Sequence, residues 1–193
     1  MNEGALIAAA ARVLARHGPG GLTIDRVAEE SGISRATLYR RGVRKERLLA
    51  GAYDEVARRY RDAIWPALTA SGAARDRLQA AIRALCATAD EHLGLLAGLY
   101  DQPHTVFHDH TDQQTLVREP FAEPFERILR DGQLDGTLHV DDPVETATVL
   151  FNLVAWTYIH LRHAHRWDAD RTLAHLLAII LDGLARPAPE RAT

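Results

Sequence analysis

The segment from residue 23 to residue 45 constrains the fold of this chain most, because it predicts two short helices joined by a tight turn. Thr23 and Ser34 each precede helix-forming residues, and their hydroxyls can accept hydrogen bonds from the unpaired N–H groups of a first helical turn. Gly32 lies between them, where a helix commonly ends in a left-handed residue. The pattern predicts a helix-turn-helix, a motif whose second helix enters the major groove of DNA.

A longer run of sequence around these two helices resembles the N-terminal domain of the tetracycline-repressor (TetR) family. The run is an apolar first helix followed by GLTI, then AEESGISRATLY and then KERLL, within about the first fifty residues. The resemblance implies an all-α fold of about nine helices, with an N-terminal three-helix DNA-binding domain and a C-terminal helical domain for ligand binding and dimerisation. Gly42 stands where the family usually has an aromatic residue, and it can end the second motif helix in a left-handed conformation.

Several polar and basic side chains remain on the outer faces of the second motif helix once Leu38 is turned inward. An arginine can pair with guanine through two hydrogen bonds, and a threonine methyl can contact the methyl group of thymine. We predict that Arg35 and Arg40 contact bases. We predict that Arg44 and Lys45 contact the phosphate backbone of DNA, since Lys45 matches the family's lysine at the start of the fourth helix. For any single arginine, the alternative is that its side chain lies on a solvated helix face and does not contact DNA. The predicted DNA-binding residues are Thr23, Ser34, Arg35, Thr37, Tyr39, Arg40, Arg41, Arg44 and Lys45.

The charge of the chain is unevenly distributed. The net charge is −3, but residues 1–50 contain eight Arg and one Lys against five acidic residues and so carry +4, which leaves −7 for the remainder. A basic domain attached to an acidic one is typical of a protein whose first domain alone contacts phosphate.

The overall composition is that of an ordinary soluble protein, with 47% hydrophobic and 25% charged residues. The sequence has no apolar run long enough for a membrane span and no N-terminal secretion signal, so we expect a cytoplasmic protein. Cys86 is the only cysteine, which excludes an internal disulfide, and we predict that it is a small core residue.

Helical periodicity and the positions of glycine and proline predict the remaining elements. We expect Pro66 to end the fourth helix, and the Asp-Gly pairs at 131–132 and 135–136 to form turns. A first helix over 5–17 should bury Leu6, Ala10, Val13, Leu14 and His17. Beyond the motif, the predicted helices span 45–65, 73–92, 93–100, 116–131 and 142–163, with a last one beginning near 170. The predicted domains are a helix-turn-helix domain at 1–47 (motif about 24–43), a ligand-binding and dimerisation domain at 48–186 and a disordered tail at 187–193.

The two C-terminal helices are apolar on more sides than the core of one monomer can cover. Pairing two helices from each of two chains in a four-helix bundle would bury this surface, as the family's dimers do. The alternative is a monomeric core in which a loop covers these helices. Because a homodimer presents two reading helices, the predicted partner is double-stranded DNA with an approximately palindromic operator. The predicted dimer-interface residues are Phe151, Tyr158, Leu173, Leu177, Ile180 and Leu184.

The resemblance also implies a small-molecule pocket in the C-terminal domain. Asn152 is the strongest candidate for a ligand contact, because a buried amide needs a hydrogen-bonding partner, although an interhelical hydrogen bond could equally supply one. For each aromatic candidate the alternative is plain core packing. The predicted pocket residues are Trp65, Leu96, Tyr100, Phe107, Phe121, Phe125, Asn152 and Trp156.

Together these features predict a transcriptional regulator, most simply a repressor that leaves its operator when a small-molecule effector shifts the fourth helix. The alternative is a regulator of the same fold that is controlled by a protein partner or has no effector. An enzyme is not expected, because the sequence has no Ser/His/Asp signature, phosphate loop or zinc motif. His104, His108 and His110 lie in a loop-like stretch that does not predict a metal site, and we expect no cofactor.

Overall fold

The computed structural model describes residues 3–100 and 121–183, and within these ranges the chain consists of helices and the turns that join them, with no strand. The all-α prediction is therefore confirmed, and no helix in the described ranges is long and apolar enough to cross a membrane. A 3₁₀ turn at Pro19–Gly21 follows the first helix, and a π-helical turn at Ala178–Asp182 extends the last. The helices of the described part are α1 (Glu3–His17), α2 (Ile24–Ser31), α3 (Arg35–Arg40), α4 (Lys45–Thr69), α5 (Ala74–Glu91), α6 (Leu93–Tyr100), α7 (Glu123–Asp135), α8 (Pro143–His163) and α9 (Ala169–Leu177).

The first three helices pack around a small core of their own, which includes the fully buried Val27 and Leu38. The predicted apolar stripe of α1 is buried as expected at Leu6, Ala10, Val13 and Leu14. The prediction that His17 is buried was wrong, because this side chain is exposed. His17 is the last residue of α1, where the chain turns away from the core, so its ring remains in contact with solvent.

Helix α4 contributes side chains to both hydrophobic cores of the molecule. Its first half buries Leu48, Ala52 and Val56 in the core of the first domain, and its second half buries residues such as Tyr60 in the larger core. The prediction that Pro66 ends this helix was wrong, since α4 continues to Thr69. The last turn persists because Ala67, which follows the proline, is only 4% exposed, and because the Pro66 carbonyl accepts the Ala70 N–H at 2.9 Å.

Helix α6 is the second element that joins the two cores. Leu95 belongs to the first core, whereas Ala97 belongs to the larger one. Gly94 permits this position, because a Cβ there would lie 2.6 Å from the carbonyl oxygen of Ala15 on α1. Helix α6 therefore packs directly against the backbone of α1. The predicted domain division at 47–48 stays a prediction.

The larger core lies mainly among α5, α7 and α8. Ile82, Phe125 and Val154 come from these three helices, and each is 0% exposed. Helix α5 begins without a capping side chain of its own, and the carboxylate of Asp135 at the end of α7 accepts the Ala74 N–H at 2.7 Å. This hydrogen bond between distant parts of the chain fixes the start of α5 against the end of α7.

The predicted element at 116–131 begins outside the described residues, and its described part extends further than expected. The prediction of a turn at Asp131-Gly132 was wrong, because Gly132 is a buried residue inside α7. A Cβ at Gly132 would lie 2.5 Å from Leu138, so glycine is needed here for close packing and not for a turn. The second predicted turn is confirmed at Gly136, which ends α7 with a left-handed φ of 72°.

Candidate DNA-binding interface

The helix-turn-helix is formed by local hydrogen bonds at the predicted positions. The hydroxyl of Thr23 accepts the N–H of Arg26 at 3.2 Å, and that of Ser34 accepts the N–H of Thr37 at 3.3 Å. Gly32 ends α2 with a φ of 69°, and the following turn directs the chain into α3. Both predicted N-caps and the predicted left-handed glycine are therefore confirmed.

Helix α3 directs most of its basic and polar side chains into solvent. Leu38 is 0% exposed and anchors the helix to the core, while Tyr39 on the opposite side is 57% exposed. The hydroxyls of Ser34 and Thr37 lie 2.8 Å apart at the start of the helix, and this contact orients both side chains. The outer surface of α3 and its N-cap thus carries an aromatic ring and two hydroxyls.

Arg35 has a partner that the sequence analysis did not identify. Its guanidinium lies 2.6 Å from the carboxylate of Asp25 at the start of α2, and both side chains are more than half exposed. It also lies over the ring of Tyr39, at 5.8 Å from the ring centroid. The Nε of Arg35 is therefore already engaged by Asp25 in the absence of DNA.

A basic segment begins at Arg40, the last residue of α3, and continues to the start of α4. Arg40, Arg41 and Arg44 are exposed, and none of them makes an ion pair with any other residue that the structure describes. Gly42 separates two of these arginines with a left-handed φ of 64°. By contrast, Arg47 pairs with Glu3 on α1 at 2.7 Å and is held away from this segment.

The start of α4 is suited to an anion. Arg44 occupies the N-cap position with an extended backbone and makes no side-chain capping hydrogen bond, and Lys45 is the first helical residue. The N–H groups of a first helical turn and the positive end of the helix dipole together favour a bound phosphate. Arg44 and Lys45 add two positive charges at this point, and the exposed Glu46 in the same turn adds one negative charge. The predicted contacts of Arg44 and Lys45 with the DNA backbone stay predictions.

The predicted pocket residues differ widely in exposure. Trp65 is 60% exposed on α4, whereas Phe125 is 0% exposed in the larger core. Phe121 stacks at a centroid distance of 5.4 Å on both Tyr60 and Phe151, which forms an aromatic column that the sequence analysis missed. Leu96 and Trp156 are partly buried. The side chain of Tyr100 and the whole of Phe107 lie outside the described residues.

The prediction that Asn152 carries a buried amide was wrong, because this side chain is exposed. Its Nδ2 donates to the carbonyl of Thr148 at 2.8 Å, and its Oδ1 accepts the indole N–H of Trp156 at 3.1 Å. All three residues lie on α8, so the amide is satisfied within its own helix. Its spacing of four residues from both partners could have indicated this from sequence.

A groove of about 340 Å³ lies among α5, α8 and α9, and Cys86, Asp90 and Tyr158 line it. Arg162 donates to Asp90 at 2.6 Å and holds that carboxylate in place. Burial and the neighbouring charge of Asp90 raise the pKa of the Cys86 thiol to about 12, so Cys86 is not a reactive thiolate. Cys86 is 2% exposed, which confirms that it is a core residue.

A second groove of about 340 Å³ continues between α5 and α9. Arg75 and Arg83 lie on its α5 side, and Leu177 and Leu181 line the α9 side and its extension. Arg83 lines both grooves, so the two grooves are neighbours on the surface of the larger domain. Neither groove is lined by a residue of the predicted pocket.

Two residues predicted at the dimer interface lie inside the protomer instead. Tyr158 and Leu177 are only 2% and 8% exposed, so neither presents much surface to a second chain. Tyr158 is directed toward α5, where its hydroxyl donates to Asp90 at 3.4 Å. Phe151, Leu173 and Ile180 are partly buried, and Leu184 lies outside the described residues.

Exposed apolar side chains nevertheless occur on the same two C-terminal elements. Val149 and Leu153 on α8 are 65% and 45% exposed, and Ile179 in the turn after α9 is 47% exposed. Val149 and Leu153 are four residues apart and therefore lie on one face of the helix. The sequence analysis missed these three residues, although their spacing was visible in the sequence.

Comparison with protein families matches most of the chain. The family described as bacterial regulatory proteins of the tetR family matches residues 6–52. The tetracyclin repressor-like C-terminal domain matches residues 71–184, which is more than half of the chain. No curated protein sequence matches.

Solved structures are similar over nearly the whole length. The regulator FadR from Bacillus subtilis, in complex with stearoyl-CoA, has a TM-score of 0.76 at 16% identity, with 95% of this chain and 100% of that chain covered. The fatty acid degradation regulator FadR from Bacillus halodurans gives 0.76 at 17% identity with the same coverage. The TetR-family regulator PfmR from Thermus thermophilus gives 0.75 at 19%, covering 94% and 99%. At these identities the similarity establishes the fold alone.

Proposed function

Since the chain belongs to the TetR family of bacterial transcriptional regulators, we propose that it represses transcription by binding a palindromic operator as a homodimer and leaving it when a small molecule binds. The observation that carries this proposal is the basic surface after α3. Arg40, Arg41, Arg44 and Lys45 follow one another without an intervening acidic residue. This surface adjoins the exposed ring of Tyr39, so positive charge and a groove-contacting helix occur together.

The individual contacts have different expected roles. Arg40 belongs to α3 and is proposed to contact a base edge, whereas Arg44 and Lys45 at the start of α4 are proposed to contact phosphates. Arg35 joins them by exchanging the carboxylate of Asp25 for DNA. This exchange costs little, because an exposed ion pair contributes only about 0–1 kcal/mol.

The homodimer part of the proposal is supported by the exposed face of α8. Val149 and Leu153 present a row of apolar side chains that no described residue of the same chain covers fully. Contiguous exposed apolar surface is typical of an interface, whereas single exposed side chains are not. If a second copy packs against this face about a two-fold axis, the exposed apolar face of α8 is covered in both copies. The two α3 helices of the dimer are then held at a fixed separation.

The response to a ligand is proposed to pass through α4 and α6, because both helices contribute to the two cores. A ligand that binds one arrangement of the larger core more tightly would favour that arrangement. Helix α4 would then move the basic surface at its own N-terminus, and α6 would move against α1 at Gly94. The separation of the two α3 helices in the dimer would change, and the operator would no longer fit.

An amphipathic anion such as a fatty-acyl thioester is the proposed effector class. Two structural neighbours are named as regulators of fatty acid metabolism or degradation, and a third, the regulator FadR from Bacillus subtilis, was solved in complex with stearoyl-CoA. In this chain the groove between α5 and α9 has Arg75 and Arg83 on one side and Leu177 and Leu181 on the other. Arg75 is already paired with Asp182 of the same lining at 2.8 Å. Arg83 is therefore the residue proposed to receive the anionic group, and Leu177 and Leu181 are proposed to contact the apolar chain.

Selection of bound duplexes from a random DNA pool tests the DNA-binding part directly. The expected result is a palindromic consensus with two half-sites, bound by a dimer. On the selected duplex, Arg40→Ala should relax the preference at one base position in each half-site. Lys45→Ala should instead weaken binding to all duplexes by the same factor. It should also reduce the slope of the log of the association constant against the log of the salt concentration by about 1 per lost phosphate contact.

Arg47→Ala serves as the control, because it removes the same charge from a side chain that is already paired with Glu3. It should leave the sequence preference and the salt slope near those of the wild type. The proposal would be overturned if no duplex were enriched at low salt, or if the selected site bound one monomer without symmetry.

Fluorescence anisotropy of the selected duplex tests the effector class. Stearoyl-CoA should release the protein from DNA at concentrations where free coenzyme A and free stearate do not. Arg83→Ala should shift the release to higher stearoyl-CoA concentration without changing DNA affinity in its absence. Failure of release, with DNA binding intact, would leave a regulator that responds to a protein partner or to no effector.

A further inference from the structure

Two histidine rings meet at the corner between α8 and α9. His160 lies in the last turn of α8 and His165 in the loop that follows, and their Nε2 atoms are 3.1 Å apart. We propose that this pair binds a divalent transition-metal ion, such as Zn²⁺ or Ni²⁺, through both Nε2 atoms. The site is separate from the basic surface after α3, and its existence does not depend on the proposed DNA-binding function.

The positions of the two rings fit a shared metal ion. Histidine nitrogens bind Zn²⁺ at about 2.0–2.1 Å, so two nitrogens 3.1 Å apart subtend an angle of about 100° at such an ion. This angle lies between about 90° for square-planar and about 109° for tetrahedral coordination. The ring centroids are 4.9 Å apart. The rings are thus closer at their Nε2 atoms than at their centres, as expected when both nitrogens are directed toward one point.

The backbone of the loop holds His165 beside His160. The carbonyl of His160 accepts the N–H of His165 at 3.4 Å, and the carbonyl of Leu161 accepts the N–H of Trp167 at 3.0 Å. Arg166 lies within this turn with a φ of 55°, in the left-handed region that a residue with a Cβ avoids. Such a conformation persists only where the surroundings determine it, and it concentrates at binding sites.

Side chains anchor the same loop to the rest of the larger domain. Arg162 donates both to the carbonyl of Trp167 and to the carboxylate of Asp90 on α5, the latter at 2.6 Å. The guanidinium of Arg171 lies over the ring of Trp167, at 4.2 Å from the centroid. The two histidines are therefore held by elements that are already ordered, and metal binding does not have to fix a flexible loop.

A hydrogen bond between two neutral imidazoles also accounts for the distance, with one ring donating and the other accepting. Metal binding replaces that bond when both rings carry their proton on Nδ1 and present Nε2 lone pairs. Within the described ranges, no group of three or more metal-binding side chains occurs. Water therefore completes the coordination shell, and the affinity is lower than that of a structural zinc site with four protein ligands.

Calorimetric titration of the untagged protein with Zn²⁺, and separately with Ni²⁺, tests this site. We expect one ion per chain, and a loss of affinity of at least about tenfold in His165→Ala and in His160→Gln. His163→Ala is the matched control, because His163 is an exposed histidine of the same turn. It should bind metal as the wild type does, and so should a variant in which His104, His108 and His110 are all replaced by alanine.

Nitrogen NMR of the imidazoles gives a second measurement that does not depend on a variant. Addition of Zn²⁺ should move the Nε2 resonances of His160 and His165 together and leave that of His163 unchanged. The proposal would be wrong if His165→Ala kept wild-type affinity, if His163→Ala lost as much affinity as His165→Ala, or if the two Nε2 resonances did not respond. Loss of DNA binding would not affect any of these outcomes.

Discussion

Replacement of Gly94 by alanine tests the contact through which α6 joins the larger domain to the first core. A Cβ at this position would lie 2.6 Å from the carbonyl oxygen and 3.0 Å from the Cα of Ala15. These are backbone atoms of α1, which cannot rotate aside as the end of a side chain can. The two helices must therefore separate by roughly 0.5–1 Å to restore ordinary van der Waals contact.

Two opposing effects set the size of the expected destabilisation. Extra volume in a packed contact costs about 1–3 kcal/mol, whereas alanine is favoured over glycine in a helix interior by about 1 kcal/mol. The second effect is reduced here, because Gly94 is the second residue of α6. A net loss of about 1–2 kcal/mol corresponds to a melting temperature lower by roughly 2–8 °C in a chain of this size.

Thermal unfolding followed by far-UV circular dichroism measures this change. Gly20→Ala is the control, because a Cβ at Gly20 meets no atom within 4 Å and its backbone is not left-handed. That variant should melt with the wild type. If Gly94→Ala melted at or above the wild-type temperature, the close approach of α6 to α1 would not exist, and α6 could not be a mechanical link between the two cores.

Three further substitutions test other parts of the structure. Asp25→Ala removes the carboxylate that holds Arg35 at 2.6 Å, so affinity for the selected duplex should rise in fluorescence anisotropy, most strongly at low salt. Hydrogen bonds, chiefly that from the Thr137 hydroxyl, hold the pKa of Asp135 below its ordinary value of 3.8. Its contribution to stability is complete above that value and is lost as pH falls through the lowered pKa, so wild type and Asp135→Asn should converge in melting temperature in acid. Val149→Arg should convert the dimer to a folded monomer in light scattering.

Control variants separate the effects expected of Asp25→Ala and Val149→Arg from the effect of a change in charge alone. Glu29→Ala changes the net charge as Asp25→Ala does, but Glu29 is an exposed residue of α2 that does not hold Arg35. A rise in DNA affinity of equal size in both variants would show that charge alone is responsible. Glu145→Arg reverses the charge at an exposed position of α8 one turn before Val149. Glu145 lies outside the apolar pair Val149 and Leu153, so this variant should remain a dimer. If Val149→Arg remained a dimer, the interface would not include Val149 and would lie on another surface.

The helix-turn-helix could be predicted in detail because its determinants are local. Thr23 and Ser34 cap the helices that begin immediately after them, and Gly32 supplies the left-handed residue between the two. Each of these interactions joins residues close in sequence, so the sequence contains both partners within one short window. The role of Asp25 was missed because its partner Arg35 lies on the other helix, and the angle between the helices is a tertiary property.

The errors elsewhere concern residues whose role depends on distant partners. Pro66 does not end α4, because burial of the residue after it stabilises one more turn. Gly132 resembles a turn glycine in sequence, yet the close approach of Leu138 is what requires a glycine there, and this contact forms only after the chain has turned back. Local propensity predicts what a segment does alone, and tertiary packing overrides it at such points.

Helix α8 shows most clearly that local sequence alone does not determine how a helix packs. A helix that is apolar on nearly every side has no periodic signal, so its sequence cannot indicate which side packs inside the protomer. The inward side is the one that buries residues such as Leu150, Val154 and Ile159 in the larger core. Asp90 on α5 supports the same rotation, because it accepts hydrogen bonds from Tyr158 and Arg162. With α8 in this orientation, Val149 and Leu153 lie on the outside. The exposed side of α8 thus depends on partners on other helices, which are distant in the sequence.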